Sequence, residues 1–314
     1  MGVLLDGQAG EAETAGFLVA LKMKGETAAE LAGFARAMRD RMMVVDAGPD
    51  VIDTCGTGGD GSGTFNISTA AALVMAGAGA HVAKHGNRSI SSSSGSADVL
   101  EALGVRVMEV TPEESARAIR EIGIGFLFAP ALHPAMKHAQ AVRRALKTRT
   151  VLNLLGPLAN PARASAQLIG APSPRAAEIM AEALADLGTR RSFVVHGHDG
   201  LDEITTAAAT GVYEVTGTVI AKHIWTPTDF GLKTAQLTSL KGGDTARNAQ
   251  MIVEILQGST SPGRDIVLVN AAAGLLAAGL AADLRGGMES AARSIDSGAA
   301  IAKLDLLKKR FPAN

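Results

Sequence analysis

The chain has 314 residues, 47% of them hydrophobic and 19% charged, which allows one large or two modest domains with a sizeable core. Its formal net charge of −1 removes any general electrostatic reason to bind nucleic acid or an acidic membrane, so a small ligand is the expected partner. Cys55 is the only cysteine, which excludes an intrachain disulfide and is consistent with a cytoplasmic, reducing environment. The most apolar late stretch, Ile266 to Ala282, is predicted to be a buried helix rather than a membrane span.

The first part of the chain is predicted to be helical. Residues 11–45 carry apolar side chains at helical spacing, and Gly25 interrupts the pattern. Thr27 to Glu30 matches a capping box that would begin a second helix. Pro49 ends the helical pattern, and β-prone runs follow, so a domain boundary is expected near residues 46–50.

The next segment alternates strands with helices. Strands are predicted over 51–55, 80–84 and 105–109, and helices over 69–78, 96–103 and 112–122. This alternation implies a mostly parallel sheet covered by helices, whose ligands lie at the carboxyl ends of strands. After a further apolar strand, the predicted elements are a helix over about 134–147, a helix over 174–187, a strand in SFVVHG, a β-hairpin region over 212–226 and helices over 245–257, 265–281 and 286–297.

The stretch DTCGTGGDGSGTFNIST, residues 53–69, joins a strand end, a glycine-rich turn and a helix start. Glycine lets backbone N–H groups approach a ligand without a Cβ in the way, and a helix start presents unpaired N–H groups and a positive dipole end. The turn is therefore interpreted as a phosphate-binding site. A glycine-rich surface turn without a ligand is the alternative.

Two familiar phosphate loops fit this turn poorly. Gly56, Gly58 and Gly61 match G-x-G-x-x-G, but a dinucleotide site needs an acid about twenty residues later. No acid occurs between Gly61 and Asp98. A P-loop needs G-K-[ST] at the end of the turn, whereas the last glycine here is followed by Thr64.

The second predicted strand ends in KHGNR, followed by several serines. Lys84 offers a point charge, and Asn87 offers both a donor and an acceptor to phosphate or ribose oxygens. Together with His85 and Arg88 they would form a polar anion-binding lip. Read alone, this loop could equally be a solvated basic turn.

Two later segments carry further candidate side chains. Arg143 lies on the helix predicted over about 134–147. An arginine can bind a carboxylate through two hydrogen bonds, but most arginines on helices are simply solvated. Asp199, Asp202 and Glu203 cluster after a predicted strand, and their oxygens could hold Mg²⁺ through water and substrate phosphates. A solvated acidic turn is the alternative.

Several stretches together resemble the anthranilate phosphoribosyltransferase family: DTCGTGGDGSGTFNIST, KHGNR, GSADVLEALG, GIGFLFAPALHPAMK, NLLGPLANPA, HGHDGLDEIT, LKGGD and IDSGAAIAKLDLL. The similarity extends from about Phe17 to Leu307. It implies an α/β fold of the nucleoside phosphorylase/phosphoribosyltransferase class, with a mostly parallel central sheet flanked by helices and a smaller all-helical domain. The implied division assigns residues 1–48 and about 133–148 to the helical domain, and 49–132 and 149–314 to the α/β domain.

The resemblance also implies an activity. The family transfers the phosphoribosyl group of 5-phosphoribosyl 1-diphosphate to the amine of anthranilate, giving N-(5-phosphoribosyl)anthranilate and diphosphate in tryptophan biosynthesis. Mg²⁺ is the implied cofactor, and a homodimer paired through the helical domain is the implied assembly. The chain begins about one helix later than is usual in the family, which weakens the expectation of a dimer.

The residue roles are carried over from the family by matching motifs. Diphosphate-binding positions are implied at Gly56, Gly58, Gly59 and Asp60. Further substrate contacts are implied at Thr64, Asn66, Ser68, Thr69, Lys84 and His85. Anthranilate-binding positions are implied at Asn87 and Arg143, and Mg²⁺ ligands at Asp202, Glu203 and Ser68.

Lys84 and Arg143 are the expected catalytic side chains. Lys84 would stabilise the leaving diphosphate, and Arg143 would hold anthranilate in line behind C1 of the sugar. No general base is expected. Ser93 stands where relatives often carry Lys or Arg, so one phosphate contact is expected to be weaker.

Two other functions stay open at this point. A pyrimidine-nucleoside phosphorylase-like enzyme would share the fold, but the Asp202–Glu203 pair and HGNR argue against it. A non-catalytic relative that binds nucleic acid should be basic, and this chain is slightly acidic.

Overall fold

A computed structural model describes residues 1–58, 60–89 and 94–313. The strands in these residues are β1 (Val51–Gly56), β2 (His81–Gly86), β3 (Ile124–Phe128), β4 (Ala166–Gly170), β5 (Arg191–Gly197), β6 (Thr210–Thr216) and β7 (Val219–Trp225). The helices are α1 (Gly2–Leu5), α2 (Glu11–Lys24), α3 (Ala28–Arg39), α4 (Ile67–Gly77), α5 (Ser96–Ala102), α6 (Pro112–Ile122), α7 (Ala129–Leu132), α8 (Lys137–Leu146), α9 (Leu152–Leu158), α10 (Pro174–Leu187), α11 (Thr245–Leu256), α12 (Pro262–Ala277), α13 (Leu284–Asp296) and α14 (Ala299–Arg310).

The strands form one sheet in the order β3-β2-β1-β4-β5-β6-β7 within the described residues. Strands β1 to β5 run parallel, and β6 and β7 add an antiparallel edge. The predicted mostly parallel sheet flanked by helices is therefore confirmed. Because β1 lies between β2 and β4, the loops that follow these three parallel strands lie side by side at their carboxyl ends.

Alternating side chains place the core on both faces of the sheet. On β4, Leu168 packs in a cluster with α4 and α12, whereas Ile169 packs in a second cluster with α10. Helix α4 is apolar all round and is buried from Ala70 to Ala76, as expected for a helix enclosed by the sheet and other helices. The glycine turn ends at the start of this buried helix.

The N-terminal helices pack with α8. Leu18 of α2, Leu31 of α3 and Val142 of α8 share the second cluster, which continues into α9 and α10. The predicted capping box of α3 is present, since Glu30 N donates to Thr27 Oγ1 at 3.3 Å and Thr27 N donates to Glu30 Oε2 at 3.0 Å. None of the helices in the described chain is long and apolar enough to cross a membrane.

The prediction of a strand over 105–109 is wrong. Val105 makes only an isolated bridge to Pro312, and the third strand of the sheet is β3 instead. Val105 and Val107 are buried beside the chain after α14, so their alternation reflects packing under a helix end rather than sheet pairing. Five of these helices and strands had no predicted counterpart: α1, α7, α9, β4 and α14.

Candidate active site

The glycine turn lies at the carboxyl end of β1. Gly56, the last residue of that strand, is in register with Gly170, the last residue of β4. The turn then leads to Asn66, the N-cap of α4, whose first-turn residues include Ser68. This is the position that parallel α/β sheets use for ligands.

The acidic loop after β5 contacts the turn directly. Asp202 Oδ2 accepts a hydrogen bond from Gly58 N at 2.8 Å, and Asp202 N donates to Asp60 Oδ2 at 3.4 Å. A Cβ on Gly56 would lie 2.6 Å from Asp202 Oδ2, and one on Gly170 would lie 1.5 Å from the Asp202 carbonyl oxygen. Glycine is therefore required at both strand ends for this loop to come so close.

Asp202 and Glu203 are both buried, with 8% of each residue exposed. Burial, reinforced by the charge of Asp60, raises the pKa of Asp202 to about 7. Burial, reinforced by the charge of Asp202, raises the pKa of Glu203 to about 8, although Lys84 partly offsets the rise. Two buried acids that repel each other form a site whose ionised state a cation would stabilise.

The donor set fits Mg²⁺ held jointly with a ligand. Within residues 1–58, 60–89 and 94–313, no three His, Cys, Asp or Glu side chains are grouped so as to hold a metal by themselves. Mg²⁺ commonly takes one or two carboxylates and completes its shell with water and substrate phosphates. Asp202, Glu203 and the Ser68 hydroxyl are the residues that would hold it.

Lys84 lies under the turn and is only 3% exposed. Its Nζ donates to the Thr54 carbonyl oxygen at 2.8 Å and to Ser68 Oγ at 3.2 Å. Burial lowers the pKa of Lys84, and the nearby charges of Asp53 and Glu203 oppose that shift. The ammonium group of Lys84 therefore lies between the end of β1 and the start of α4.

The remaining predicted contacts are distributed around this centre. Asn66 Nδ2 donates to the Ser94 carbonyl oxygen at 3.0 Å, and Thr64 forms a bridge with Lys241. The Thr69 hydroxyl is buried without a hydrogen-bond partner in the described part of the chain. Gly59, predicted to bind diphosphate, and Ser93, predicted to weaken one phosphate contact, lie outside the described residues.

Arg143 and Asn87 lie on two different elements, α8 and the loop after β2. Arg143 is half-buried on α8, where burial lowers the pKa of its guanidinium, and the structure gives it no hydrogen bond or ion pair with any described residue. Asn87 follows β2, where its Oδ1 accepts from Arg88 N at 2.7 Å. Among residues 1–58, 60–89 and 94–313, no hydrogen bond joins either side chain to the glycine turn.

Arg88 of the predicted anion-binding lip is half-exposed and lies against two acids of α5. Its guanidinium pairs with Glu101 at 3.0 Å and approaches Asp98 at 3.8 Å. His85 is buried, and its Nδ1 lies 3.1 Å from the Gly156 carbonyl oxygen. Its ring centroid is 5.0 Å from that of His133. Burial lowers the pKa of His85 to about 3 and that of His133 to about 4, so both imidazoles are neutral near pH 7.

Comparisons with known proteins agree with this arrangement. The glycosyl transferase family a/b domain model matches residues 48–301, and the helical bundle domain model of the same family matches residues 1–42. The anthranilate phosphoribosyltransferase of Solibacter usitatus is 59% identical over 310 residues, which cover 98% of this chain and 91% of the relative. That of Desulforamulus reducens is 52% identical over 305 residues, 97% of this chain and 88% of the relative. The chain belongs to the anthranilate phosphoribosyltransferase family.

Solved structures of anthranilate phosphoribosyltransferases share the fold. The Thermus thermophilus structure has a TM-score of 0.93 at 44% identity, with coverage of 98% of this chain and 92% of that one. The Saccharomyces cerevisiae structure in complex with PRPP (5-phosphoribosyl 1-diphosphate) and Mg has a TM-score of 0.88 at 30% identity, with coverage of 96% and 85%.

The sequence did not point to two buried polar residues behind the site, Asp53 and Asn160. Asp53 Oδ1 accepts from His85 N at 3.1 Å, and its Oδ2 accepts from Asn160 Nδ2 at 2.7 Å. Asn160 Nδ2 also donates to the Ala83 carbonyl oxygen at 2.8 Å. The pair thus fixes β2 just before and after Lys84. Asp53 and Asn160 stand inside motifs that were recognised, but neither residue type nor spacing indicated that they meet.

Arg149 was also missed. It follows α8 in the chain, and its guanidinium donates to the Gly58 carbonyl oxygen and to Thr57 Oγ1, the latter at 3.4 Å. The Gly58 peptide is therefore held from both sides, with Arg149 on its carbonyl and Asp202 on its N–H. Only the tertiary fold brings residue 149 to this turn.

Proposed function

We propose that the chain transfers the phosphoribosyl group of 5-phosphoribosyl 1-diphosphate to the amine of anthranilate and releases diphosphate, as a step of tryptophan biosynthesis. The observation that carries the proposal is the pair of buried acids, Asp202 and Glu203, set against the glycine turn and Lys84. The membership of the family supports it, as does the yeast relative described in complex with PRPP and Mg.

The leaving-group side is formed by the turn and by Lys84. Breaking the C1–O bond leaves an oxocarbenium-like sugar and a strongly charged diphosphate, so fixed positive groups lower the barrier most where that charge develops. The backbone N–H groups near Gly58 and the start of α4 would hold diphosphate oxygens, and Lys84 adds a buried charge beneath them. Mg²⁺, held by Asp202, Glu203 and Ser68, would supply further charge neutralisation.

The nucleophile side is assigned to Arg143 and Asn87. A half-buried guanidinium without a protein acceptor is suited to a ligand carboxylate, and anthranilate carries one. The anthranilate amine needs no deprotonation before attack, so positioning it behind C1 is the main requirement. His85 and His133 are neutral near pH 7 and so offer no competing positive charge to the carboxylate. A yeast relative described in complex with 4-fluoroanthranilate supports an aromatic-acid site in this family.

We further propose the division into a helical domain, residues 1–48 and about 133–148, and an α/β domain comprising 49–132 and 149–314. Pairing of two copies through the helical domain is supported by large apolar side chains exposed on α1 and α2, namely Val3, Phe17, Val19 and Met23. A cytoplasmic location is supported by the single, buried Cys55.

Fluorescence tests the reaction directly. Anthranilate is mixed with purified protein, Mg²⁺ and 5-phosphoribosyl 1-diphosphate, and loss of anthranilate fluorescence is followed. We expect turnover that requires all three additions. Folded protein that leaves anthranilate unchanged, but splits a pyrimidine nucleoside with inorganic phosphate, would establish the phosphorylase-like alternative instead.

A further inference from the structure

An open cavity of about 430 Å³ lies at the amino ends of the parallel strands, opposite the glycine turn at their carboxyl ends. Its lining includes Ser165, which directly precedes β4, Thr189, which lies two residues before β5, and three arginines, Arg39, Arg163 and Arg190. Strand β4 has five residues, so the cavity is on the order of 16 Å from the carboxyl-end site. The volume falls in the range of small-molecule sites.

The positive charge around this cavity is not balanced by acids. No Asp or Glu among the described residues lines it. None of the ion pairs within residues 1–58, 60–89 and 94–313 involves Arg39, Arg163 or Arg190. Asp186, the acid near the end of α10, is paired with Arg36 at 3.0 Å. The lining therefore carries three positive charges.

Arg39 is fixed in this position by its Nε, which donates to the Leu158 carbonyl oxygen at 2.8 Å. Its remaining guanidinium nitrogens stay available to a ligand. Burial, followed by the charges of Arg163 and Arg36, lowers the pKa of Arg39. A guanidinium held among like charges is stabilised when an anion enters.

Arg163 extends from a strained turn. Its φ of 50° lies in the left-handed region, which is unfavourable for a residue with a Cβ. The turn is closed by Arg163 N, which donates to the Asn160 carbonyl oxygen at 2.9 Å, and by Ala162 N, which donates to Asn160 Oδ1 at 2.8 Å. Asn160 is the residue that also binds Asp53, so one turn contacts both the cavity and the buried network behind Lys84.

We propose that this cavity, called here the arginine cavity, is a second anion site that binds a small phosphate-bearing molecule. Arg39, Arg163 and Arg190 all line this space, and Arg190 Nη2 also donates to the Ala278 carbonyl oxygen at 3.1 Å. Arginine side chains suit the oxygens of a phosphate, which carries more charge than a single carboxylate. The volume leaves room for an organic group beside the phosphate. Ser165 and Thr189 complete the lining, and their hydroxyls donate to the Val51 and Ser165 carbonyl oxygens.

Equilibrium dialysis with radiolabelled inorganic phosphate tests the site. The test variant is Arg163→Gln/Arg190→Gln, which removes two lining charges and keeps Arg39 with its bond to Leu158. The matched control is Arg175→Gln/Arg285→Gln, which removes two exposed arginines elsewhere on the surface. Circular dichroism establishes that each variant is folded.

Wild type and control are expected to bind one more phosphate per chain than the test variant, or to bind it at least tenfold more tightly. Equal binding by all three proteins overturns the proposal. Ribose 5-phosphate should displace the label from this site at lower concentration than citrate, and the reverse order would overturn the assignment to phosphate. Because the readout is binding, its failure is distinct from failure of the proposed transferase reaction.

Discussion

The carboxylate of Asp202 and the backbone N–H of Gly58 form a hydrogen bond of 2.8 Å. The Asp202 side chain therefore occupies a backbone N–H that the glycine turn could otherwise offer to a bound anion. A diphosphate oxygen bound at this N–H would displace the Asp202 carboxylate. We therefore expect Asp202 to couple occupation of the turn to the acidic loop.

Asp202→Asn tests this coupling. The amide keeps the shape and can still accept from Gly58 N, but it loses the charge that would face Mg²⁺. We expect the KM for 5-phosphoribosyl 1-diphosphate and the Mg²⁺ concentration needed for half-maximal rate to rise at least tenfold, which corresponds to about 1.4 kcal/mol. The control is Asp199→Asn, whose carboxylate binds Leu201 N and Thr205 Oγ1 within the same loop. An unchanged Mg²⁺ requirement in Asp202→Asn would contradict the metal role.

Glu203 should make stability fall as the pH rises. Its pKa is about 8 in the folded chain and near 4.5 when exposed, so between these values the unfolded chain is ionised and the folded chain retains the proton. Its stabilising contribution is complete below pH 4.5 and is lost as the pH rises through 8. We expect the Glu203→Gln variant to remove a slope of about 1.4 kcal/mol per pH unit from the free energy of unfolding.

Urea denaturation between pH 6.5 and 8 measures this slope, in EDTA so that no divalent cation binds the acids. The buried histidines contribute to the slope in both proteins, so it is the difference between the two profiles that reports Glu203. Parallel pH profiles for wild type and Glu203→Gln would show that Glu203 is ionised in the folded state.

Much of this centre could be predicted from residue type and order. The glycine turn follows β1, Lys84 lies near the carboxyl end of β2, and the Asp202–Glu203 pair follows β5, so strand order places all three at the carboxyl ends of the strands. Asp53, Asn160 and Arg149 could not be found in this way, because their roles depend on contacts between residues 32 to 107 positions apart. The strand predicted over 105–109 failed for the related reason that buried valines alternate under a helix end as they do in a sheet.

Arg143→Ala tests the nucleophile side. The guanidinium has no acceptor among the described residues, so its removal should cost little folding stability. We expect at least a tenfold increase in the KM for anthranilate, with the KM for 5-phosphoribosyl 1-diphosphate changed less than twofold. Arg144→Ala on the same helix is the control, because its side chain is exposed. Equal damage to the affinity for both substrates would refute the assignment to the anthranilate carboxylate.

Gly170→Ala tests whether the close approach of the acidic loop is required. A Cβ at this position would lie 1.5 Å from the Asp202 carbonyl oxygen, a backbone atom that can move only if the loop moves. Because the clash displaces Asp202 from Gly58 N and alters the site for Mg²⁺, we expect kcat/KM for 5-phosphoribosyl 1-diphosphate to fall at least a hundredfold. The strand itself is fully buried, so a loss of stability is also expected.

Gly33→Ala supplies the comparison. Nothing lies within 4 Å of a Cβ at Gly33, which is in the interior of α3, so this variant should keep full activity and gain up to about 1 kcal/mol of stability. Thermal denaturation and the fluorescence assay on both variants separate the two effects. If Gly170→Ala remains folded at the assay temperature and retains wild-type kcat/KM, then contact between the acidic loop and the strand end is not needed for the reaction.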